Sequence, residues 1–430
     1  MKRIHRLGVL LCLGWLVWSY PSGVLVGCSS GPVVVETPNA REVVSEGSLA
    51  TKEGLDAGET KEKVGTKEHL LEMSPTDKQG MQIGCKGCTT FTGGWLFDGE
   101  KTQKGALVIE GKKIRAVVTG NYEQVVGKVI DVTGKTILPG LFDLHVHTPA
   151  SSGPYGFFAS ESMYEPHFKA MLRNGVTGYL DLGSSTRRIF TFRERIREGQ
   201  ILAPTMYAAG PLVTAPGGHP CRKGSPPGDS CLLITKPEDA AQLKQKLFPF
   251  KPDIIKVVLE KGSSFSPLQR LTLPALVAIQ KAAEQAAYQM IAHVSTSEDI
   301  KDALDHGIRL FAHIPSEEKL TDAAIKRLVQ TKAVIVPTLV VLESLVRISS
   351  GTFSMSKERE HDVPESVRKA LLNSNMTRTM TSPSYQKYVK RLFDTAIDNY
   401  KRCLQAGVLL AIGTDAGNPG TFHGASVQRE

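Results

Sequence analysis

Residues 136–149, TILPGLFDLHVHTP, decide the fold of this chain. The apolar run ends in His145-Val146-His147. Successive strand side chains point to opposite faces, so two histidines one residue apart share a face. Two imidazoles converging from one strand end are the start of a site for zinc or a similar divalent ion. Alone, the pattern reads more simply as two polar loop residues. What changes the reading is that Lys256, His293, His313 and Asp415 each sit at or near the end of a later apolar run.

Downstream of His147 the chain alternates. Apolar, β-like runs cover 176–182, 205–209, 253–259, 290–294, 310–314, 333–340 and 408–412. Helix-like stretches lie between them at 161–173, 187–198, 237–247, 274–288, 297–306, 322–330 and 385–405. Strand–helix alternation implies parallel pairing. With the His145/His147 strand there are eight such runs, so the expected fold is α/β, a TIM-type (β/α)8 barrel over 139–430. Reactive groups in that architecture gather at the C-terminal strand ends. Residues 349–383 form an unusually long insert before the last helix, either part of a lid or a solvated excursion.

Upstream, residues 91–138 hold short apolar runs punctuated by glycine, including GGWLFDGE, KGALVIEGKKIRAVV and GKVIDVTGKTIL. They read as a β-rich collar of antiparallel strands, with hairpin turns at Gly111-Lys112 and Gly134-Lys135. Residues 28–90 read as a flexible tether; the mix of Glu, Lys, Thr, Gly and Ser over 30–80, with no aromatic residue, cannot bury enough apolar surface to offset ordering. Residues 1–27 read as an export signal: Lys2, Arg3 and Arg6 precede a short apolar core, too short for the roughly 20 residues that span a bilayer. Its end, Leu25-Val26-Gly27-Cys28, resembles the bacterial lipobox, which implies lipidation at Cys28 and anchoring by buried acyl chains. The expected location is then a bacterial membrane surface facing the periplasm or exterior, the outer membrane where the host has one. The alternative is an ordinary secretory signal with an incidental cysteine.

The formal net charge is +9, and loss of Lys2, Arg3 and Arg6 with the signal leaves +6. No concentrated Lys/Arg stripe with interleaved aromatics occurs, so nucleic acid is not an expected partner. Among the 7 cysteines, Cys221 and Cys231 flank a Gly/Pro-rich loop and suit a disulfide in an exported protein. Cys85 and Cys88 form either a second disulfide or half of a zinc knuckle, and no second CxxC lies nearby to complete the latter. Cys403 reads as buried and inert.

The later residues each have a functional and a plain reading. Lys256 lies inside Ile254-Ile255-Lys256-Val257-Val258, where a charge is costly unless it is paired or removed. Carboxylation by CO₂ would make it an anion able to bridge two metals; snorkelling to the rim is the plain reading. His293 and His313 close successive runs at the same relative place, although either alone would read as a core histidine. Asp415, in Gly413-Thr414-Asp415-Ala416-Gly417, would hold a metal and take a proton from water, or simply cap a turn. Asp143 and Asp181 read as supports for the ligands or the barrel. His306 reads as a helix C-terminal residue, and His423 as either pocket-lining or surface.

Together these residues resemble the amidohydrolase superfamily: HxH on strand one, lysine on strand four, histidines on strands five and six, and aspartate on strand eight. ILPGLFDLHVHT and IGTDAG match its flanking patterns, and TAPGGH at 214–219 looks like the loop after strand three in its imidazolonepropionase-like and Xaa-Pro dipeptidase-like members. The resemblance implies two divalent metal ions, zinc first among them. His145, His147 and Asp415 would hold one, His293 and His313 the other, and carboxylated Lys256 would bridge them. It implies Asp415 as proton carrier, and His219 as a substrate or oxyanion contact; a structural loop histidine beside Cys221 is the other reading of His219. The implied substrate is a small molecule: a dipeptide, an acylated amino acid or a cyclic amide, cut at a C–N bond. An inactive surface lipoprotein retaining the barrel as a binding module is the second reading, and a phosphotriesterase-like esterase the third. Similar chains continue past the strand-eight aspartate through a final helix and returning collar strands. The expectation is a C-terminally truncated barrel, or one covered by a partner such as a second copy in a homo-oligomer.

Overall fold

The structure, a computed structural model, describes residues 81–150, 152, 164–221, 229–263, 266–355, 362–373 and 380–430. The expected export signal, Cys28 and the tether up to residue 80 lie outside the described residues. The described chain divides into two units between Pro139 and Gly140.

The first unit is a six-stranded sheet: β1 (Gln82–Thr92), β2 (Trp95–Phe97), β3 (Thr102–Glu110), β4 (Lys113–Thr119), β5 (Gln124–Asp131) and β6 (Thr136–Ile137). Two expectations change. Residues 82–90, assigned to the tether, are strand: Ile83 and Cys88 pack on Ala106, Val108 and Val118, and this burial supplies what the Gly/Cys-rich composition hides. The sheet is also mixed, not antiparallel. β3 and β4 form the hairpin expected at Gly111-Lys112, but β1 pairs with β5 in parallel and β2 with β6 in parallel. The turn near Gly134 therefore joins strands that pair with different neighbours. Cys85 and Cys88 are disulfide-bonded at the register shift between Gly84 and Thr89.

In the second unit, β7 (Leu141–Val146), β8 (Val176–Asp181) and β9 (Thr205–Ala208) form a three-stranded parallel sheet. β10 (Leu212–Thr214), β11 (Cys231–Leu233) and β12 (Ile255–Val258) follow, then a small hairpin of β13 (Gly262–Ser263) and β14 (Ser266–Pro267). β15 (Met290–His293), β16 (Leu310–Ala312), β17 (Val334–Val336) and β18 (Leu409–Leu410) complete a seven-stranded parallel sheet in the order β11-β10-β12-β15-β16-β17-β18. These are continuous apolar runs, as strands covered on both faces require.

The expected single ring of eight strands is thus two parallel sheets in this structure. One reason is local: the loop after β9 returns as β10 and takes the edge of β12, Val213 opposite Val257. Isolated backbone bonds reach across both breaks. Asp253 N donates to Ala208 O at 2.9 Å on one side; Leu144 N donates to Ile412 O at 3.0 Å and Asp415 N to His145 O at 2.7 Å on the other.

Eight α-helices of the described residues lie in this unit: α1 (Tyr164–Arg173), α2 (Thr186–Arg197), α3 (Leu273–Gln285), α4 (Ser297–Asp305), α5 (Asp322–Gln330), α6 (Leu339–Ser349), α7 (Glu365–Asn373) and α8 (Pro383–Ala406). Their ends are encoded locally. Thr272, Thr296, Thr321 and Ser382 each accept a first-turn N–H, and Gly407 ends α8 at φ 84°. The helix expected at 237–247 is instead a 3₁₀ turn (Pro237–Ala240), a π turn (Leu243–Leu247) and another 3₁₀ turn (Phe248–Phe250). Pro249 has no N–H to continue a helix. Cys221 and Cys231 are bonded across the start of β11, and Cys403 is buried.

Candidate metal centre

The site is built from the C-terminal ends of parallel strands. β7 delivers His145 and, one step beyond its end, His147; both are buried. β12 carries Lys256, which is 1% exposed. β15 ends in His293, His313 follows β16, and Asp415 lies beyond β18. The six residues separated along the sequence meet here. Asp415 Oδ1 is 3.0 Å from His147 Nε2 and 3.4 Å from His145 Nε2, and its Oδ2 is 3.9 Å from His313 Nδ1. Lys256 Nζ lies 3.4 Å from His145 Nε2. Ring centres of His145 and His313 are 4.7 Å apart, and those of His293 and His313 are 4.3 Å apart.

His219 also reaches the cluster, its ring 4.9 Å from that of His293. Between them stands Glu260, which sequence reading missed. Its Oε2 is 3.0 Å from His293 Nε2 and 3.5 Å from His219 Nδ1. The one available signal was position: Glu260 falls in the loop directly after the Lys256 strand.

Backbone and neighbours fix these side chains. His147 Nδ1 donates to Gly183 O at 2.9 Å, leaving Nε2 to face Asp415. A Cβ on Gly183 would come within 2.4 Å of Leu212 and 3.0 Å of the His147 ring, so a larger residue there would displace Leu212 and crowd His147. His313 Nδ1 is hydrogen-bonded to Thr338 Oγ1 at 2.7 Å. Asp143 accepts from the Thr414 hydroxyl at 2.6 Å, the Thr414 N–H at 2.9 Å and the His145 N–H at 3.3 Å, tying β7 to the Asp415 segment. Asp181 accepts from Thr148 N–H at 2.7 Å, Ser184 hydroxyl at 2.8 Å and Gly183 N–H at 3.1 Å. His423 does not sit on the surface. It is buried, stacks on His167 with ring centres 3.8 Å apart, and lies 3.1 Å from the His147 carbonyl. His306 caps α4 away from the cluster, its Nδ1 on Asp302 O.

Electrostatics favour lone pairs over protons at most of these nitrogens. Burial first, then the neighbouring Lys256 charge and imidazoles, hold His145 well below the usual histidine range; burial and adjacent imidazoles do the same to His313. Burial, with His293 beside it, pushes His219 down to about 4. Burial lowers the Lys256 ammonium to about 7. His147 runs the other way: burial opposes its charge most, but the Asp415 carboxylate, the Asp181 charge and the Gly183 carbonyl together raise it. Burial lifts Asp143 to about 7 against its three hydrogen bonds.

The donor set fits a divalent cation. Asp415 Oδ1 is buried without a hydrogen-bond partner, although it lies 3.0 Å and 3.4 Å from two imidazole nitrogens. Atoms that converge without satisfying one another are what a shared cation would resolve. Two groups hold ligand atoms within 4.8 Å of one another around this cluster: His145, His147 and Asp415, and His219, Glu260 and His293.

The amidohydrolase family model matches residues 136–429, the strand-one motif through the segment after Asp415. The chain belongs to the amidohydrolase family. Solved structures of similar fold accord with this. A Xaa-Pro dipeptidase with methionine bound in its active site is 21% identical with a TM-score of 0.60, covering 78% of this chain and 81% of that one. A prolidase complexed with N-methylphosphonate-L-proline is 22% identical with a TM-score of 0.60, covering 76% and 78%. The ochratoxinase of A. niger is 19% identical with a TM-score of 0.58, covering 77% and 76%. A comparison with curated proteins finds no match. As an amidohydrolase, the chain is an enzyme of the class that acts on carbon–nitrogen bonds.

Proposed function

We propose that this amidohydrolase hydrolyses a C–N bond in a small amide (a dipeptide, an acylated amino acid or a cyclic amide) at a centre holding two divalent cations, zinc first among them. The observation that carries the reading is the convergence of His145, His147 and Asp415 with Lys256 and His313 in one buried cluster. His145, His147 and Asp415 would hold one cation, and His293 and His313 the other. Bound there, the cations would lower the pKa of water and polarise the scissile carbonyl. Lys256, with its amine driven toward the neutral form by burial, has the nucleophile that carboxylation by CO₂ needs; as a carbamate it would bridge the pair. Asp415 Oδ2, the carboxylate oxygen that faces His313, would accept the proton of the attacking water and return it to the leaving nitrogen. His219 stands at the partly exposed edge of the cluster, the side from which a substrate carbonyl would approach the second cation. The strand arrangement itself we take to be a TIM-type barrel whose ladder is interrupted beside β10 and between β18 and β7.

The test is metal content followed by a panel of dipeptides, N-acyl amino acids, cyclic amides and phosphotriesters. The full chain should bind two equivalents, lose amide hydrolysis on exhaustive chelation and regain it with zinc. A folded protein that takes up no metal under replete conditions would support a binding module instead, and preference for phosphotriesters would support an esterase.

We further propose export and lipid anchoring through Cys28, supported by the basic start, the short apolar core and Leu25-Val26-Gly27-Cys28. No helix among the described residues is long and apolar enough to cross a membrane. Expressed in a bacterial host, the protein should incorporate labelled palmitate, and Cys28→Ala should abolish incorporation and release it from the membrane fraction. Unchanged labelling in the variant would refute the assignment.

A further inference from the structure

We propose that Glu260 is a ligand to the second cation, completing a donor set with His293 and His219 beside His313. This rests on the two-cation reading above.

The register of the sheet puts Glu260 there. Val258 of β12 pairs with His293 of β15, and Leu259 N then donates to His293 O at 3.0 Å. The next residue, Glu260, is thereby held beside the His293 ring. Leu259 is itself pinned from the other side, its carbonyl accepting from Arg270 Nε at 2.8 Å, and Arg270 is anchored by Asp299 and Asp302. The carboxylate therefore hangs from a fixed strand end rather than from a free loop.

Its chemistry suits the role. Glu260 Oε2 lies 3.0 Å from His293 Nε2 and 3.5 Å from His219 Nδ1, and the three donors are mutually within 4.8 Å. Two imidazoles and one carboxylate are an ordinary set for zinc-like ions. Their side chains are 12%, 19% and 33% exposed for His293, Glu260 and His219, so the set is sheltered but not closed. Charge points the same way. Asp415 brings an anion to His145 and His147, whereas on the His293 side Glu260 is the carboxylate already in place. The Lys256 amine lies against His145, toward the first group of donors.

Metal-free full-length protein is titrated with zinc against a chromophoric chelator, and with cobalt for its visible spectrum. Wild type should take up two equivalents. Glu260→Gln should keep the first equivalent within about threefold and weaken the second by about 100-fold or more, at or above the range of outer-shell changes. The cobalt bands of the second equivalent alone should shift. His219→Gln should weaken the same equivalent, which keeps the test decisive if the first variant folds poorly. Two equivalents bound by Glu260→Gln with unchanged affinity and spectrum would overturn the assignment while leaving the two-cation reading intact. A wild type that binds no metal would overturn both, and that result is read before any variant is made.

Discussion

Asp415→Asn is expected to lower kcat/KM by about 10³-fold, in the middle of the range for a positioned acid–base group. The measurement is steady-state hydrolysis of the best amide from the panel, with metal content determined on the same sample. Asparagine keeps the shape of the side chain and tolerates the left-handed backbone at this position, where φ is 55°. Folding should therefore survive, and the loss will report chemistry and ligation. The variant removes the charge that faces His145 and His147 and the oxygen assigned to carry the proton. It should also bind the first zinc more weakly. A variant with kcat/KM within about tenfold of wild type would remove Asp415 from the mechanism.

Lys256→Met should have the opposite effect on stability from most core substitutions. An ammonium held among apolar side chains costs free energy, and burial lowers this one from 10.5 to about 7. The sign follows from linkage. Between pH 7 and pH 10.5 the unfolded chain binds more protons than the folded one, so stability rises with pH across that window and the full deficit is present below it. Replacing the amine with a thioether of similar length removes a deficit on the order of 4 kcal/mol at neutral pH. Urea unfolding of the metal-free proteins should show Lys256→Met more stable at pH 7, with the gap closing by pH 10.5. Amide hydrolysis should be lost in the same variant. Equal stability at both pH values would show that the lysine is not held as a costly buried base.

How much of this was legible in the sequence depends on how local the signal was. His145, His147, Lys256, His293, His313 and Asp415 stand out because each interrupts or ends an apolar run, and a polar residue in such a place is costly unless it is used. The strands themselves were legible from the same runs. Glu260 was not, because a charged residue in a Lys/Gly/Ser-rich loop looks like any solvated position. Only the register of β12 against β15 shows that it faces two imidazoles. His167 and His423 are separated by most of the second unit's sequence, and no local pattern pairs them. The parallel pairing of β1 with β5 was also invisible, since alternation of buried and exposed residues is the same in either orientation. β10 and β11 are too short for periodicity to register, yet they alter which edge of β12 is free. At 237–247 the apolar spacing suited a helix, but the segment winds as a 3₁₀ turn followed by a π turn, a difference in hydrogen-bond step that spacing does not register.

The split between the two parallel sheets gives the metal centre a mechanical role. His145 and His147 come from the three-stranded sheet, whereas Lys256, His293, His313 and Asp415 come from the seven-stranded side. Among the described residues the backbone joins the two there through a short run of amide bonds, Leu144 N to Ile412 O, Asp415 N to His145 O and His147 N to Ala416 O. Ions coordinated by both groups would act as rivets across that seam, and stripping them would let the edges part first where the chemistry is done.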